Sequence, residues 1–183
     1  MMNKNDQWLL LPALLAPAVV ISAPAYATQY LTVEQAQAAL FPEAGQFTAV
    51  PLVLTSAQAE AIEDMADVRV RNQKLHVWKA EQDGKHLGWF LVDEVLGKHE
   101  FITYAVALDT GGAVQGIEIM DYRESHGEEV RNKKWQAQFY GKQHGAVLKL
   151  DEDIQNIGGA TLSCKHITDG VKRLLATYET VLK

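Results

Sequence analysis

Leu75-His76-Val77-Trp78-Lys79-Ala80 alternates its side-chain character with a period of two, the pattern of a half-buried β-strand. Gln82-Asp83-Gly84-Lys85 follows it with turn chemistry. Three further runs of strand character then succeed one another: Leu87 to Val95, Phe101 to Leu108 and Val114 to Met120. Asp109-Thr110-Gly111-Gly112 joins the last two as a hairpin turn, because Asp bonds its own backbone and Gly tolerates positive φ. Consecutive strands joined this closely pair antiparallel, since a parallel return needs a crossover of about a dozen residues. The expected class is therefore α+β, an antiparallel meander covered on one face by helices.

The flanks supply the helices. Thr32 caps a short amphipathic segment, Val33 to Leu40, with Glu34 in its first turn, and Phe41-Pro42 ends it. A second helix is expected from Ser56, taken as its cap, to about Met65. Beyond Asp121 the alternation breaks into an irregular polar loop, Tyr122 to Gly127, and Glu128 to Val130 starts another short helix. Trp135 and Phe139 are four apart and share one helical face, which suits core packing better than ligand contact. Asp151 to Gly159 is a loop. The chain closes on a long amphipathic helix from about Ser163 to Leu182, whose Ile167, Val171, Leu174, Leu175, Tyr178 and Leu182 form one stripe.

Residues 1–27 read as an export signal. The apolar run Trp8 to Ile21 precedes Ala25-Tyr26-Ala27, which offers small residues at the two positions a signal peptidase inspects. Pro12 and Pro17 disturb a long membrane helix, although a retained membrane anchor is the competing reading. Cleavage after Ala27 leaves 156 of the 183 residues, enough for one domain. We divide these into an N-terminal helical segment, 28–70, packing on a domain at 71–183. The net charge of −6 argues against nucleic acid or an anionic membrane surface as partner. Cys164 is the single cysteine, so no intramolecular disulfide forms, and neither Cys-x-x-Cys-His nor His-Glu-x-x-His occurs.

The chemistry concentrates in Gly158-Gly159-Ala160-Thr161-Leu162-Ser163-Cys164-Lys165-His166-Ile167. A Gly-Gly-Ala-Thr turn opens onto the last helix, where unpaired N–H groups and aligned peptide dipoles favour phosphate. Taken alone, Thr161 is most simply a helix cap and Gly158 and Gly159 a turn. If Ser163 is the cap instead, Thr161 projects free. In the loop, Glu124 has two candidate roles, a hydrogen bond to a ring N–H or retention of the loop, and Gly127 would admit a flat ring. Lys142 is more simply a surface lysine than a phosphate ligand. A copper or zinc site from His126, His144, His166 and Cys164 is a weaker rival, with no metal-specific spacing.

Gly97-Lys98-His99-Glu100, Tyr122-Arg123-Glu124-Ser125-His126-Gly127, Trp135-x-x-x-Phe139-x-Gly141-Lys142 and Gly158 through Gly170 occur here in an order and at separations that resemble the FMN-binding domain family. That family includes flavin-carrying subunits of the sodium-translocating NADH:quinone oxidoreductase and its Rnf relative, and smaller exported electron carriers. The resemblance implies FMN esterified through its phosphate to Thr161. Gly158, Gly159, Ala160, Leu162 and Ser163 would surround the phosphate, with Glu124 and Gly127 on the flavin-side loop. It also implies a separate flavin transferase using FAD, a membrane or periplasmic redox partner such as a reductase or cytochrome, and a carrier rather than an enzyme. Two positions depart from the family pattern: Gly158 stands where Ser or Thr is common, and Gln155 where Asp is favoured. Noncovalent FMN binding, in a module that senses redox state and regulates a neighbour, is the alternative these departures leave open.

Overall fold

A computed structural model describes residues 30–183; the expected export signal lies outside the described residues. The order of elements is α1 (Val33–Leu40), β1 (Gln46–Val53), α2 (Ser56–Ala66), β2 (Lys74–Gln82), β3 (Lys85–Leu96), β4 (Phe101–Asp109) and β5 (Val114–Tyr122). A 3-10 turn at Glu128–Arg131, the one-turn helix α3 (Lys133–Gln136) and the helix α4 (Thr161–Thr177) follow, and α4 runs on as a π-helix through Tyr178–Leu182. The strands form one antiparallel sheet in sequential order, β1-β2-β3-β4-β5. The α+β meander and the long C-terminal helix are as expected, with one strand more.

That extra strand, β1, lies inside the segment expected to be helical, 28–70. It pairs along its whole length with β2, from Gln46 opposite Glu81 to Val53 opposite Lys74. It is a sheet edge with no buried residue, and Pro51 lies within it. Pro is tolerated at an edge because its missing N–H can face away from the ladder. The helix caps are reciprocal: Thr32 with Gln35, and Thr55 with Gln58. Thr55, not Ser56, therefore starts α2; its hydroxyl meets the N3 amide while Gln58 reaches back to its N–H.

Helices cover both faces of the sheet rather than one. On the first face Tyr104, Val106, Leu108, Ile117 and Ile119 meet Ile167, Val171, Leu174 and Leu175 of α4. On the other, Ala80, Phe90, Ala105, Ala107 and Met120 meet Ala36 and Phe41 at α1. β4 is buried on both sides because its successive side chains point to opposite faces. The β4–β5 hairpin forms as expected: Asp109 Oδ1 accepts from the N–H of Gly111 and Ala113 at 2.8 and 2.9 Å. Trp135 and Phe139 are core residues, packed edge to face with centroids 5.2 Å apart.

Candidate functional site

Three loops meet at one end of the sheet: the β3–β4 turn, the segment after β5, and the turn before α4. In the last, the N–H of Ala160 donates to Ile157 O at 3.0 Å and Gly159 takes φ +83°, a value that favours glycine. α4 begins at Thr161, about two residues earlier than expected, and Ala160 in the N-cap position offers no side-chain cap. Ser163 does not cap the helix. It is buried, and its Oγ lies 3.1 Å from the Tyr122 hydroxyl. Thr161 is exposed as the first helical residue, and Leu162 beside it is 44% exposed. The uncapped turn leaves backbone N–H groups for an anion.

The loop after β5 closes on this turn through small groups. The Tyr122 hydroxyl donates to His126 O at 2.6 Å while meeting Ser163. Burial pushes the Tyr122 phenol up, so it stays protonated at neutral pH. Gly127 has φ +93°, and a Cβ there would overlap Ala160 and sit 2.6 Å from the Tyr122 hydroxyl. The close approach that Gly127 permits is thus to Ala160. Ser125 Oγ lies 2.9 Å from His126 Nδ1, fixing one side of that imidazole.

Glu124 reaches back to the β3–β4 turn. Its Oε1 accepts the N–H of His99 at 2.6 Å and of Glu100 at 3.1 Å. Burial pushes its carboxyl up, but the backbone N–H groups of His99, Glu100 and Lys98 outweigh it and hold the group below the usual carboxylate range. Of its two candidate roles, loop retention is the one this geometry displays. Gly97 makes room, since a Cβ there would lie 2.5 Å from Glu124 Oε1.

Between the three loops lies a cavity of about 350 Å³ bordered by Lys98, His99, Glu124, His126, Thr161 and Leu162, within the range of small-molecule sites. A shallower opening of about 720 Å³ flanks it beyond Ser125 and His126, against Gly158, Gly159, Glu128 and Glu129. A more apolar recess of about 400 Å³, near the start of β2 and Arg173, includes none of the candidate site residues. Lys142 pairs with Asp153 at 2.7 Å, away from the cavity. Cys164 is buried and His166 Nδ1 contacts Leu96 O; among the described residues no three His, Cys, Asp or Glu converge. Lys98, His99 and the Tyr122–Ser163 contact went unassigned in the sequence, although Gly97-Lys98-His99-Glu100 and the loop were both visible as motifs.

Residues 97–176, from the β3–β4 turn through most of α4, match the model of the FMN-binding domain and so take in all three loops. This region belongs to the FMN-binding domain family. A component of the Na(+)-translocating ferredoxin:NAD(+) oxidoreductase complex of Acetobacterium woodii is similar to the chain, 23% identical over 154 residues. That match covers 79% of this chain and 72% of the relative. The crystal structure of Shewanella oneidensis NqrC shares the fold, with a TM-score of 0.52 and 14% identity over 78% of this chain and 84% of that one. The donor set of the FMN-binding domain suits FMN: a free threonine hydroxyl, uncapped helix N–H groups for the phosphate, and an adjoining cavity with an apolar Leu162. A Cβ at Gly158 or Gly159 would meet nothing within 4 Å, so the turn before Thr161 is not packed against the rest of the domain there.

Proposed function

We propose that this chain is an exported electron carrier that holds FMN as a phosphoester on Thr161 and relays electrons between redox partners. The observation that carries it is Thr161 itself, an exposed hydroxyl on the first residue of an uncapped helix, beside the cavity. Bound FMN supplies the redox chemistry, and the protein supplies orientation and electrostatics. Thr161 Oγ forms the bond to phosphorus as AMP leaves FAD, and its proton passes to the flavin transferase. Gly158, Gly159 and Ala160 hold the turn, and the N–H groups up to Ser163 face the phosphate. Glu124 and Gly127 keep the two neighbouring loops closed on this turn.

In this reading residues 1–27 direct export to the periplasm and are cleaved after Ala27, and 28–70 pack on the flavin domain at 71–183. Among the described residues no helix is long and apolar enough to cross a membrane. A retained anchor at the N-terminus would place the same carrier on the membrane surface. The partners are a flavin transferase and a membrane or periplasmic reductase or cytochrome. The name of the Acetobacterium woodii relative, a subunit of an oxidoreductase complex, supports a carrier rather than an enzyme with its own substrate.

Intact mass after coexpression with a flavin transferase tests the reading. An FMN adduct that survives acid precipitation and disappears in Thr161→Ala is the expected result. Flavin released into the acid supernatant would mean noncovalent binding, and a colourless wild type would overturn the carrier function.

A further inference from the structure

The Gly97-Lys98-His99-Glu100 turn has no role in attachment, yet it forms one wall of the cavity beside Thr161. The chain is acidic overall, but that wall presents Lys98 and His99, both exposed. The carboxylate bordering the same cavity, Glu124, has Oε1 turned onto the backbone N–H of His99 and Glu100. The neighbouring opening has the reverse character: Glu128 and Glu129 line it, and its Arg131 is paired with Glu128 at 2.7 Å. An electron-rich group tethered at Thr161 therefore meets positive charge on one side and carboxylates on the other. Leu162 adds an apolar contact on the positive side.

We propose that the flavin ring lies against the Lys98–His99 wall, that the Lys98 ammonium favours its reduced, anionic form, and that Glu124 is the positioning residue presenting both side chains. This deepens the function proposed above and rests on it. Two electrons and one proton taken up by oxidised flavin leave one negative charge on the ring. A cation at the wall stabilises that charge, and neutralising it lowers the midpoint potential. Glu124 acts through the turn: its loss frees the backbone at 98–100, so Lys98 is no longer held against the cavity and its mean distance from the ring grows.

The test is a dithionite titration of flavin-loaded protein against a reference dye. Lys98→Gln should make the reduced form about tenfold less favoured, a fall of about 30 mV for a two-electron couple. Lys98→Arg should keep the wild-type value, and in a Glu124→Ala background Lys98→Gln should move the potential by less than it does in wild type, because Lys98 is no longer held at the wall. Lys85→Gln is the control for net charge, because β3 separates it from the turn by about 36 Å. An unchanged potential in Lys98→Gln, or an equal fall in Lys85→Gln, would overturn the proposal while leaving the carrier function standing. A wild type that retains no flavin after coexpression would overturn both, and the flavin absorbance per protein distinguishes the two failures.

Discussion

Gly127 packs directly on Ala160, joining the loop after β5 to the turn that presents Thr161. No side chain longer than hydrogen fits between them, and φ of +93° independently disfavours any other residue. Gly127→Ala should therefore cost about 1–3 kcal/mol, the range for overpacking a tight site. For a chain of this size that lowers the melting temperature by about 2–4 °C per kcal/mol. Flavin loading should fall with it, because the displaced backbone is that of Ala160. A thermal melt matching wild type would mean that the loop has another way to close.

Tyr122→Phe isolates the hydroxyl that links three parts of the site. The change keeps the ring in the core and removes the bond to His126 O and the contact with Ser163. Buried Ser163 then loses its partner on Tyr122, so the loss should be about 1–3 kcal/mol, above the roughly 1 kcal/mol of an ordinary hydrogen bond. Adding Ser163→Ala removes the orphaned group and should recover part of it. Urea denaturation of the single and double variants measures this; strictly additive losses would show that the two side chains do not cooperate.

The central meander was legible because β2 to β5 carry strand periodicity broken by turn residues such as Asp109-Thr110-Gly111-Gly112. β1 was not, since an edge strand with no buried residue has no apolar alternation to display, and Pro51 argues against a strand in the interior of a sheet. Local pattern also could not tell that α1 crosses to the other face; Ala105 and Ala107, small residues opposite Ala36 and Phe41, make that packing possible. At the site, Thr161 was legible as a hydroxyl at a helix start. Ser163, offered as the alternative cap to Thr161, caps nothing, and the sequence could not show this because its actual partner, Tyr122, is 41 residues away. Glu124 shows the same limit: its two backbone partners lie 24 and 25 residues back along the chain.

Acid should destabilise the fold through Glu124 at the site and through Asp153 away from it. In Glu124 the backbone N–H groups outweigh burial; in Asp153 burial is outweighed by Lys142 and by the N–H groups of Lys149 and Leu148. Both carboxyls are thus held below their ordinary range. A depressed folded value contributes stability that is complete above the unfolded value, about 4.3 for Glu and 3.9 for Asp. It is lost as pH falls through the folded value. Wild-type stability should decline from about pH 4 downward, whereas Glu124→Gln, already less stable at neutral pH, should decline less. Urea midpoints at neutral and acid pH give the comparison, and a gap between the two proteins that stays constant across the range would exclude Glu124 as a contributor.

Gly170 on α4 sits against Tyr104 of β4, and a Cβ there would overlap the tyrosine hydroxyl and lie 2.9 Å from its Cζ. That hydroxyl donates to Asp93 Oδ2 at 2.6 Å, and the same carboxylate oxygen pairs with Arg173. Burial, reinforced by the negative charge of Asp93, pushes the Tyr104 phenol well above its ordinary value, so it remains a donor throughout the accessible pH range. Helix propensity alone favours Gly170→Ala by about 1 kcal/mol. A net destabilisation would therefore report the clash and the broken Tyr104–Asp93 bond, and a loss of about 1–2 kcal/mol is expected. Arg173→Met should cost roughly 2 kcal/mol, less than the 3–5 kcal/mol for a fully buried pair because Asp93 retains some solvent contact. Adding Asp93→Asn to Arg173→Met should restore part of the loss, since the amide oxygen still accepts from Tyr104 and no unpaired charge is left. Thermal unfolding of the single and double variants decides it: a double variant less stable than Arg173→Met alone would mean that the Asp93 charge is satisfied elsewhere.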